Sequence, residues 1–329
     1  MKCYSNTVIR GIVLLLFNVT MGLQLVAQSS ASGLFFDQSS PGNEAVLFAP
    51  GIVSDELSNR DMAISPAYDE LLYTIQYRGG MFSSILHAEK KNGKWTKPAV
   101  ANFSGMYNDL EPAFSPDGKK LYFASNRPLP GTATKDYNLW VLSKENGKWS
   151  NPVPLPEPVN STADEFYPSV TKSGSIYFTR IVKEKGEDIV YCKWSNNLFE
   201  PAVSLPDVIN TSGDEFNAFV DPDEQFVIYT GYKRKDALGT GDLYISKKNE
   251  QGEWTASVNL GTAINGAGLT YCPYISPDKK YFFFSSSRNS IIKTPFEKQQ
   301  TITELKQLIN QPLNGWDNIY WIDASQFFK

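Results

Sequence analysis

The sequence predicts an all-β fold, a single β-propeller of five four-stranded blades. Two observations predict it. Five segments of about 50 residues share one pattern of short strands and turns, which is typical of tandem propeller blades. In addition, aromatic residues make up 13% of the chain, and 23 Gly and 20 Pro suit many strands joined by tight turns.

Residues 1–27 have the features of a secretory signal peptide. Lys2 and Arg10 supply a positive region, an apolar core begins at 11–16, and small residues follow from Ala27. We expect cleavage after Ala27 and therefore a periplasmic or secreted protein.

An uncleaved membrane anchor is the alternative interpretation of this segment. Asn18 and Thr20 interrupt the apolar stretch, which is short for a span of about 20 apolar residues. The sequence therefore predicts no transmembrane span after cleavage, a flexible segment at 28–44 and a propeller domain at 45–329.

Each repeat begins with a strand, a tight turn and a second strand. In the second repeat the turn reads Ser115-Pro116-Asp117-Gly118, where Pro presets φ and Asp-Gly reverses the chain. Positions below are counted from one anchor residue in each repeat, and these anchors are Ser65, Ser115, Thr171, Asp221 and Ser276. Their spacings of 50, 56, 50 and 55 residues match the length of a propeller blade.

A third strand and a short hairpin complete most repeats. The third strand follows an Asp, and the hairpin carries Asn-Gly or Gln-Gly before a Trp, a strong hairpin signal. The third strands lie at 136–140, 188–191, 242–244 and 317–320, and the hairpins at 92–95, 146–149 and 251–254. The Trp residues of these hairpins either stack on sugar rings or pack between blades, and packing is the favoured interpretation.

The fifth repeat lacks a fourth strand. It contains two strands, a helical stretch near 303–308 and a third strand at 318–322. The run at 45–48 precedes the first repeat and has no other partner, so we expect it to complete the last blade. Such closure removes exposed sheet edges. The count is five blades, or six if the N-terminal segment contains a degenerate one.

These motifs resemble the TolB-type, WD-repeat-like β-propeller family of exported bacterial proteins. The resemblance covers roughly 45–323 and rests on the Ser-Pro-Asp-Gly, Leu-Tyr-Phe and Asp-Leu-Trp pattern. It implies a propeller that serves as a binding or interaction platform. The chain departs from the pattern at 172–174 and 270–271. The resemblance therefore says least about the pocket residues of those two blades.

Two columns of residues ahead of the anchors are candidates for ligand binding. Because inner strands line the central channel of a propeller, these residues would ring one of its mouths. The column six positions before the anchor is Asn59, Asp109, Glu165, Glu215 and Thr270. The column four positions before it is Asp61, Glu111, Tyr167, Asn217 and Cys272. An acidic ring of Asp61, Asp109, Glu111, Glu165 and Glu215 would bind sugar hydroxyls or a hard cation such as Ca²⁺.

A structural role is the favoured interpretation of these acids, because they recur once per repeat. Arg127 and Arg288 fall 12 residues after their anchors, with Arg78, Arg180 and Lys233 at similar places. An acid before one strand and a base after the next predict ion pairs between blades. Arg127 and Arg288 are also candidates for ligand binding at the channel.

Several chemistries are excluded or disfavoured. His87 is the only histidine, so a His-cluster metal site is impossible, and no Gly-x-Ser-x-Gly elbow accompanies it. The net charge of −4, without a basic stripe, argues against nucleic-acid binding. Cys192 and Cys272 fall in non-adjacent repeats, so we expect no disulfide between them.

Asn160 and Asn210 lie in Asn-Ser/Thr runs that fit the pattern of glycosylation acceptor sites. A role for these Asn residues in forming turns is the favoured interpretation.

Three hypotheses for the function remain, and the third of them is a peptide or protein partner surface on the longer loops at 128–135 and 233–241. The first is a non-enzymatic binding or scaffold propeller of the cell envelope, with a glycan or an envelope protein as its ligand. The second is a carbohydrate-active enzyme that uses paired carboxylates at the channel mouth, and Glu165 and Glu215 are the pair to test. The sequence leaves open whether the protein is an enzyme, and it indicates no cofactor apart from a possible Ca²⁺.

Overall fold

The computed structural model describes residues 35–133, 136–182, 186–288 and 290–327. The predicted signal peptide lies outside the described residues. The described chain forms a five-bladed propeller of antiparallel sheets, as the repeats predict. It opens with the short strand β1 (Val46–Leu47).

The first two blades each carry a short hairpin strand, β5 or β10, in addition to four main strands. Blade I consists of β2 (Ser58–Ile64), β3 (Glu70–Tyr77), β4 (Phe82–Lys91), β5 (Lys94–Trp95) and β6 (Ala99–Val100). Blade II consists of β7 (Asp109–Phe114), β8 (Lys120–Ser125), β9 (Asn138–Glu145), β10 (Lys148–Trp149) and β11 (Val153–Pro154).

The other three blades follow the same order from the axis outwards. Blade III consists of β12 (Glu165–Val170), β13 (Ile176–Val182), β14 (Gly186–Cys192) and β17 (Val203–Ser204), with a separate hairpin of β15 (Trp194–Ser195) and β16 (Leu198–Phe199). Blade IV consists of β18 (Glu215–Val220), β19 (Phe226–Tyr232), β20 (Gly241–Lys247) and β21 (Val258–Asn259). Blade V consists of β22 (Thr270–Ile275), β23 (Tyr281–Ser286), β24 (Asn318–Asp323) and β1, with α1 (Ile302–Ile309) between β23 and β24 and a 3-10 helix (Ala324–Gln326) after β24.

The N-terminal strand closes the ring. Val46 of β1 pairs with Trp321 of β24, and the Phe48 amide donates to the carbonyl of Ile319 at 2.9 Å. The predicted closure and the count of five blades are thus confirmed. The core also extends further towards the N-terminus than the boundary at 45, because Phe35 is fully buried with its ring 5.5 Å from that of Phe48.

A residue eleven positions before each anchor ties successive blades together. The Asn160 side chain accepts a hydrogen bond from the Leu139 amide and donates to the Leu139 carbonyl. Each residue of this column accepts from a third-strand amide of the preceding blade, and the column is Ser54, Ser104, Asn160, Asn210 and Asn265. Ser54 makes its bond to Ile319 of blade V, across the ring closure. These buried Asn side chains are structural, which supports the turn-forming interpretation over glycosylation.

The hairpin Trp residues pack between blades. Trp149 of blade II donates its indole N–H to the carboxylate of Glu70 in blade I at 2.9 Å, and its ring lies 6.0 Å from that of Phe114. Trp95 stacks on Phe35 beside the ring closure. The packing interpretation is therefore confirmed over sugar stacking for these two residues.

Glu70 predicts an acid-dependent stability. Burial raises the pKa of this carboxyl, but hydrogen bonds from His87, Lys144 and Trp149 outweigh burial and bring the pKa to about 2. The group therefore stabilises the fold above its unfolded pKa of 4.5, and this contribution is lost as the pH falls towards 2. Acidification should lower the free energy of unfolding of the parent protein, and in Glu70→Gln this decrease should be smaller by about 1–3 kcal/mol. Urea unfolding between pH 6 and 2.5 measures it. Exposed Glu145→Gln is the control, and equal pH slopes for all three proteins would contradict the assignment.

Candidate functional site

The acids of the column six positions before the anchor point into the blades and pair with arginines of their own blades. Asp109, Glu165 and Glu215 are fully buried. Each carboxylate contacts one arginine, in the pairs Arg127–Asp109 at 2.7 Å, Arg180–Glu165 at 2.9 Å and Arg234–Glu215 at 3.0 Å. These carboxylates also accept hydrogen bonds from hydroxyl groups, which belong to Ser104, Ser125, Ser161 and Thr211.

The predicted ion pairs therefore exist, but they lie within blades rather than between them. The inner strand and the next strand are antiparallel, so the start of the first lies beside the end of the second, and Glu165 pairs directly with Arg180 in register. In blade IV the base is Arg234 and not Lys233. In blade V Thr270 replaces the acid, and Arg288 donates to the Ile264 carbonyl and stacks on the Tyr320 ring.

The column four positions before the anchor meets at the propeller axis. A register shift interrupts all five inner strands here, and each column residue has a left-handed backbone with φ between 49° and 61°. A regular strand aims its side chains at the neighbouring blades, whereas a bulge re-aims one of them. The column residues and the adjacent arginine form what we call the axial cluster, namely Arg60, Asp61, Glu111, Tyr167, Asn217 and Cys272.

Contacts within the axial cluster join all five blades. Arg60 bridges two carboxylates, with Nε 2.8 Å from Asp61 Oδ1 and Nη2 2.8 Å from Glu111 Oε1. Asn217 Nδ2 donates to the same Glu111 oxygen at 3.1 Å, and the Tyr167 amide donates to Glu111 Oε2 at 2.7 Å. The cluster is a hydrogen-bonded plug in the channel.

Cys272 belongs to this polar plug rather than to the apolar core. Its Sγ donates to Asp61 Oδ1 at 2.6 Å, whereas Cys192 is packed in an apolar cluster. Both thiols are free and buried, which confirms that they form no disulfide. Burial raises the Cys272 pKa well above its usual value, so the group stays a thiol and acts as a donor.

The electrostatics of the plug are set by two acids that share one arginine. Burial, with a further contribution from the charge of Asp61, raises the pKa of Glu111 to about 8, although Arg60 opposes this shift. Of the five acids predicted to form a ring, the structure brings only Asp61 and Glu111 together. Among the described residues, no group of three or more His, Cys, Asp or Glu side chains is placed to hold a metal ion.

An open cavity of about 470 Å³, here called the entry cavity, lies on one side of the plug. The whole column five positions before the anchor lines it, and this column is Arg60, Leu110, Phe166, Phe216 and Tyr271. This column was not predicted from the sequence, although Arg60 stands out as the one charged residue in an otherwise apolar set.

Aromatic rings and carboxylates share the entry cavity. Tyr137 and Tyr232 line it together with Glu187 and Asp214. The Glu187 amide donates to Asp214 Oδ1 at 3.1 Å. Burial raises the Glu187 pKa, and the charge of Asp214 adds to this shift. Flat apolar faces beside hydrogen-bond acceptors suit a ligand that has both apolar faces and hydroxyl groups.

The predicted catalytic pair does not reach this space. Glu165 and Glu215 are fully buried against their arginines, and neither lines the entry cavity or the cavity on the other side of the plug. Asp109, Arg127 and Arg288 are likewise absent from both linings. Glu111 lines both cavities.

Comparisons with known proteins identify the fold. No protein-family model matches the chain, and no curated protein matches it. Solved structures similar to it include TolB from Agrobacterium tumefaciens (14% identity, 73% of each chain, TM-score 0.47) and TolB from Acinetobacter baumannii (11% identity, 82% of this chain and 57% of that one, TM-score 0.45). A structure described as a glycoside hydrolase is also similar (10% identity, 79% of this chain and 96% of that one, TM-score 0.50).

At 10% identity, the similarity to the glycoside hydrolase structure is one of fold alone. None of the helices in the described ranges has the length and apolar character that a bilayer span requires.

Proposed function

We propose that this chain is an exported, non-enzymatic binding propeller of the cell envelope that takes a glycan in the entry cavity. The observation that carries the proposal is the lining of that cavity, where aromatic rings face the same space as three carboxyl groups (Glu111, Glu187 and Asp214) and the Arg60 guanidinium. Sugar rings present C–H faces to aromatic side chains and hydroxyl groups to carboxylates. A cavity of about 470 Å³ has room for a small saccharide unit.

Hydrolysis of the same ligand is the second candidate, and one observation favours it. Glu187 and Asp214 are neighbouring carboxyls, and burial raises the pKa of Glu187. An acid with a raised pKa beside a second carboxyl group is an arrangement that glycosidases use. The candidate pair is then Glu187 and Asp214 in place of Glu165 and Glu215.

A panel of neutral and acidic oligosaccharides tests the proposal on the exported protein. We expect saturable binding that weakens at least tenfold in Glu187→Gln, Asp214→Asn and Tyr137→Ala, because each removes an acceptor or a stacking face. Glu200→Gln, an exposed acid on the outer side of blade III, is the matched control and should bind as the parent does.

The outcomes are distinguishable. Release of shorter saccharides by the parent but not by Glu187→Gln would replace the binding role with hydrolysis. Absence of binding to every saccharide, or binding that all three entry-cavity variants leave unchanged, would overturn the glycan proposal.

A further inference from the structure

We propose that the propeller has a second ligand site, at the other end of its axis, which accepts one neutral aromatic ring. The site is the cavity of about 170 Å³ beyond the axial cluster, here called the turn cavity. It is lined by the far ends of the inner strands and by the turns that follow them, whereas the entry cavity is lined by the near ends. The proposal is independent of the glycan proposal.

The repeat itself builds the turn cavity. Every blade contributes apolar residues from the three positions before the anchor, and most contribute the proline directly after it. These prolines are Pro66, Pro116, Pro222 and Pro277, with Lys172 at the corresponding position of blade III. Ala113, Phe114, Phe219 and Tyr274 remain half-exposed inside this concave surface, so apolar area there is still in contact with solvent. Covering such area with an apolar ligand is favourable by about 25 cal/mol per Å².

The polar groups of the lining already have partners within the protein. The Tyr274 hydroxyl donates to the Ile64 carbonyl at 2.9 Å, and the Tyr167 hydroxyl donates to the Pro273 carbonyl at 2.9 Å. Ser169 Oγ accepts from the Val220 amide at 2.9 Å. A polar ligand would have to replace these bonds, so the chemistry of the site selects an apolar one.

The charges at the rim are also neutralised. Lys172 Nζ lies 2.8 Å from Asp223, and Lys279 Nζ lies 2.6 Å from Asp221. A charged ligand would therefore lose hydration without gaining an unpaired counter-charge. This argues for a neutral ligand.

The size of the cavity sets the size of the ligand. An engineered apolar cavity of about 150 Å³ in another protein binds benzene. The turn cavity, at about 170 Å³, accommodates one six-membered aromatic ring with a small substituent. The rings of Phe219 and Tyr274 lie 5.8 Å apart in an edge-to-face arrangement and offer edges and faces to such a guest.

Titration of the full exported protein with toluene tests the site. We expect saturable binding, seen by calorimetry and by a rise in Tm. Benzoate and benzylammonium should bind at least tenfold more weakly. Ala113→Phe places a ring in the cavity and should weaken toluene binding at least tenfold, whereas Ala99→Phe, the same change on the exposed strand β6, should leave it unchanged.

A second variant keeps the test decisive if Ala113→Phe does not fold. Phe219→Ala enlarges the cavity and should allow naphthalene to bind, which the parent excludes.

Two peptides, acetyl-Gly-Phe-Gly-amide and the same peptide with Ala in place of Phe, show whether the aromatic ring comes from a peptide or from a free small molecule. Binding of the Phe peptide assigns the site to a side chain of a peptide, and binding of toluene alone assigns it to a free small molecule. Unsaturable toluene binding, or equal binding by the parent and Ala113→Phe, would overturn the proposal.

Discussion

Replacing Arg60 with Met should lower the free energy of unfolding by about 3–5 kcal/mol, the expected cost of removing one partner from a buried ion pair. Asp61 and Glu111 are buried and share this one guanidinium. Without it, the Asp61 carboxylate loses its counter-charge at 2.8 Å, and the Glu111 carboxyl loses a donor at the same distance. Urea unfolding at pH 7 measures the loss, with exposed Arg78→Met as the control.

A double variant separates charge from packing in this prediction. If the loss comes from uncompensated charge, adding Asp61→Asn to Arg60→Met should restore part of the stability, because it removes the carboxylate that Arg60 Nε contacts at 2.8 Å and keeps its shape. A loss below 1 kcal/mol at pH 7 would mean that the plug does not depend on Arg60.

Phe48→Ala should lower the free energy of unfolding by about 3–5 kcal/mol, the usual cost of truncating a buried phenylalanine. The Phe48 ring is fully buried and lies 5.2 Å from that of Phe283 and 5.3 Å from that of Trp321. It holds β1 against β24, so its loss loosens the ring closure. The freed edge of β24 would then be open to pairing with other chains.

Thermal unfolding with light scattering measures both parts of this prediction. Val46→Ala is the control, because Val46 lies on β1, two residues before Phe48, but is 42% exposed. We expect a lower Tm and earlier aggregation for Phe48→Ala only. Equal behaviour of the two variants would show that closure does not depend on this ring.

The fold was predictable because the information for it is repeated. The anchors recur along the chain, three of them followed by Pro-Asp, and β1 was identified as the strand that the fifth repeat lacks. Phe35 was not predicted, since an isolated pair of aromatic residues in a polar segment carries no periodic signal. Its burial depends on the rings of Phe48, Trp95 and Trp321, which only the closed propeller brings together.

The candidate site was predicted only in part, and the bulge explains why. The prediction assumed that the side chains four and six positions before the anchor point to the same face, as they do in a regular strand. The left-handed residue at the fourth position breaks that alternation, so Glu111 faces the axis while Asp109 stays inside its blade. Arg60 was missed although it is the one charged residue of its column, and Asp214 was missed although Asp164 holds the same position in the third repeat. Glu187, directly before the Asp of its third strand, has no acidic counterpart in the other repeats.

The column that includes Asn160 and Ser54 affects how cooperatively the protein unfolds. A third-strand amide of each blade is satisfied by the side chain that introduces the following blade, and the last blade depends on the first. Removing one blade would leave its neighbour with a buried, unbonded amide and would open the circle. Unfolding should therefore be cooperative around the whole ring, unlike the end-fraying of a linear repeat array. A circularly permuted chain would retain the fold provided that its new ends spare these links.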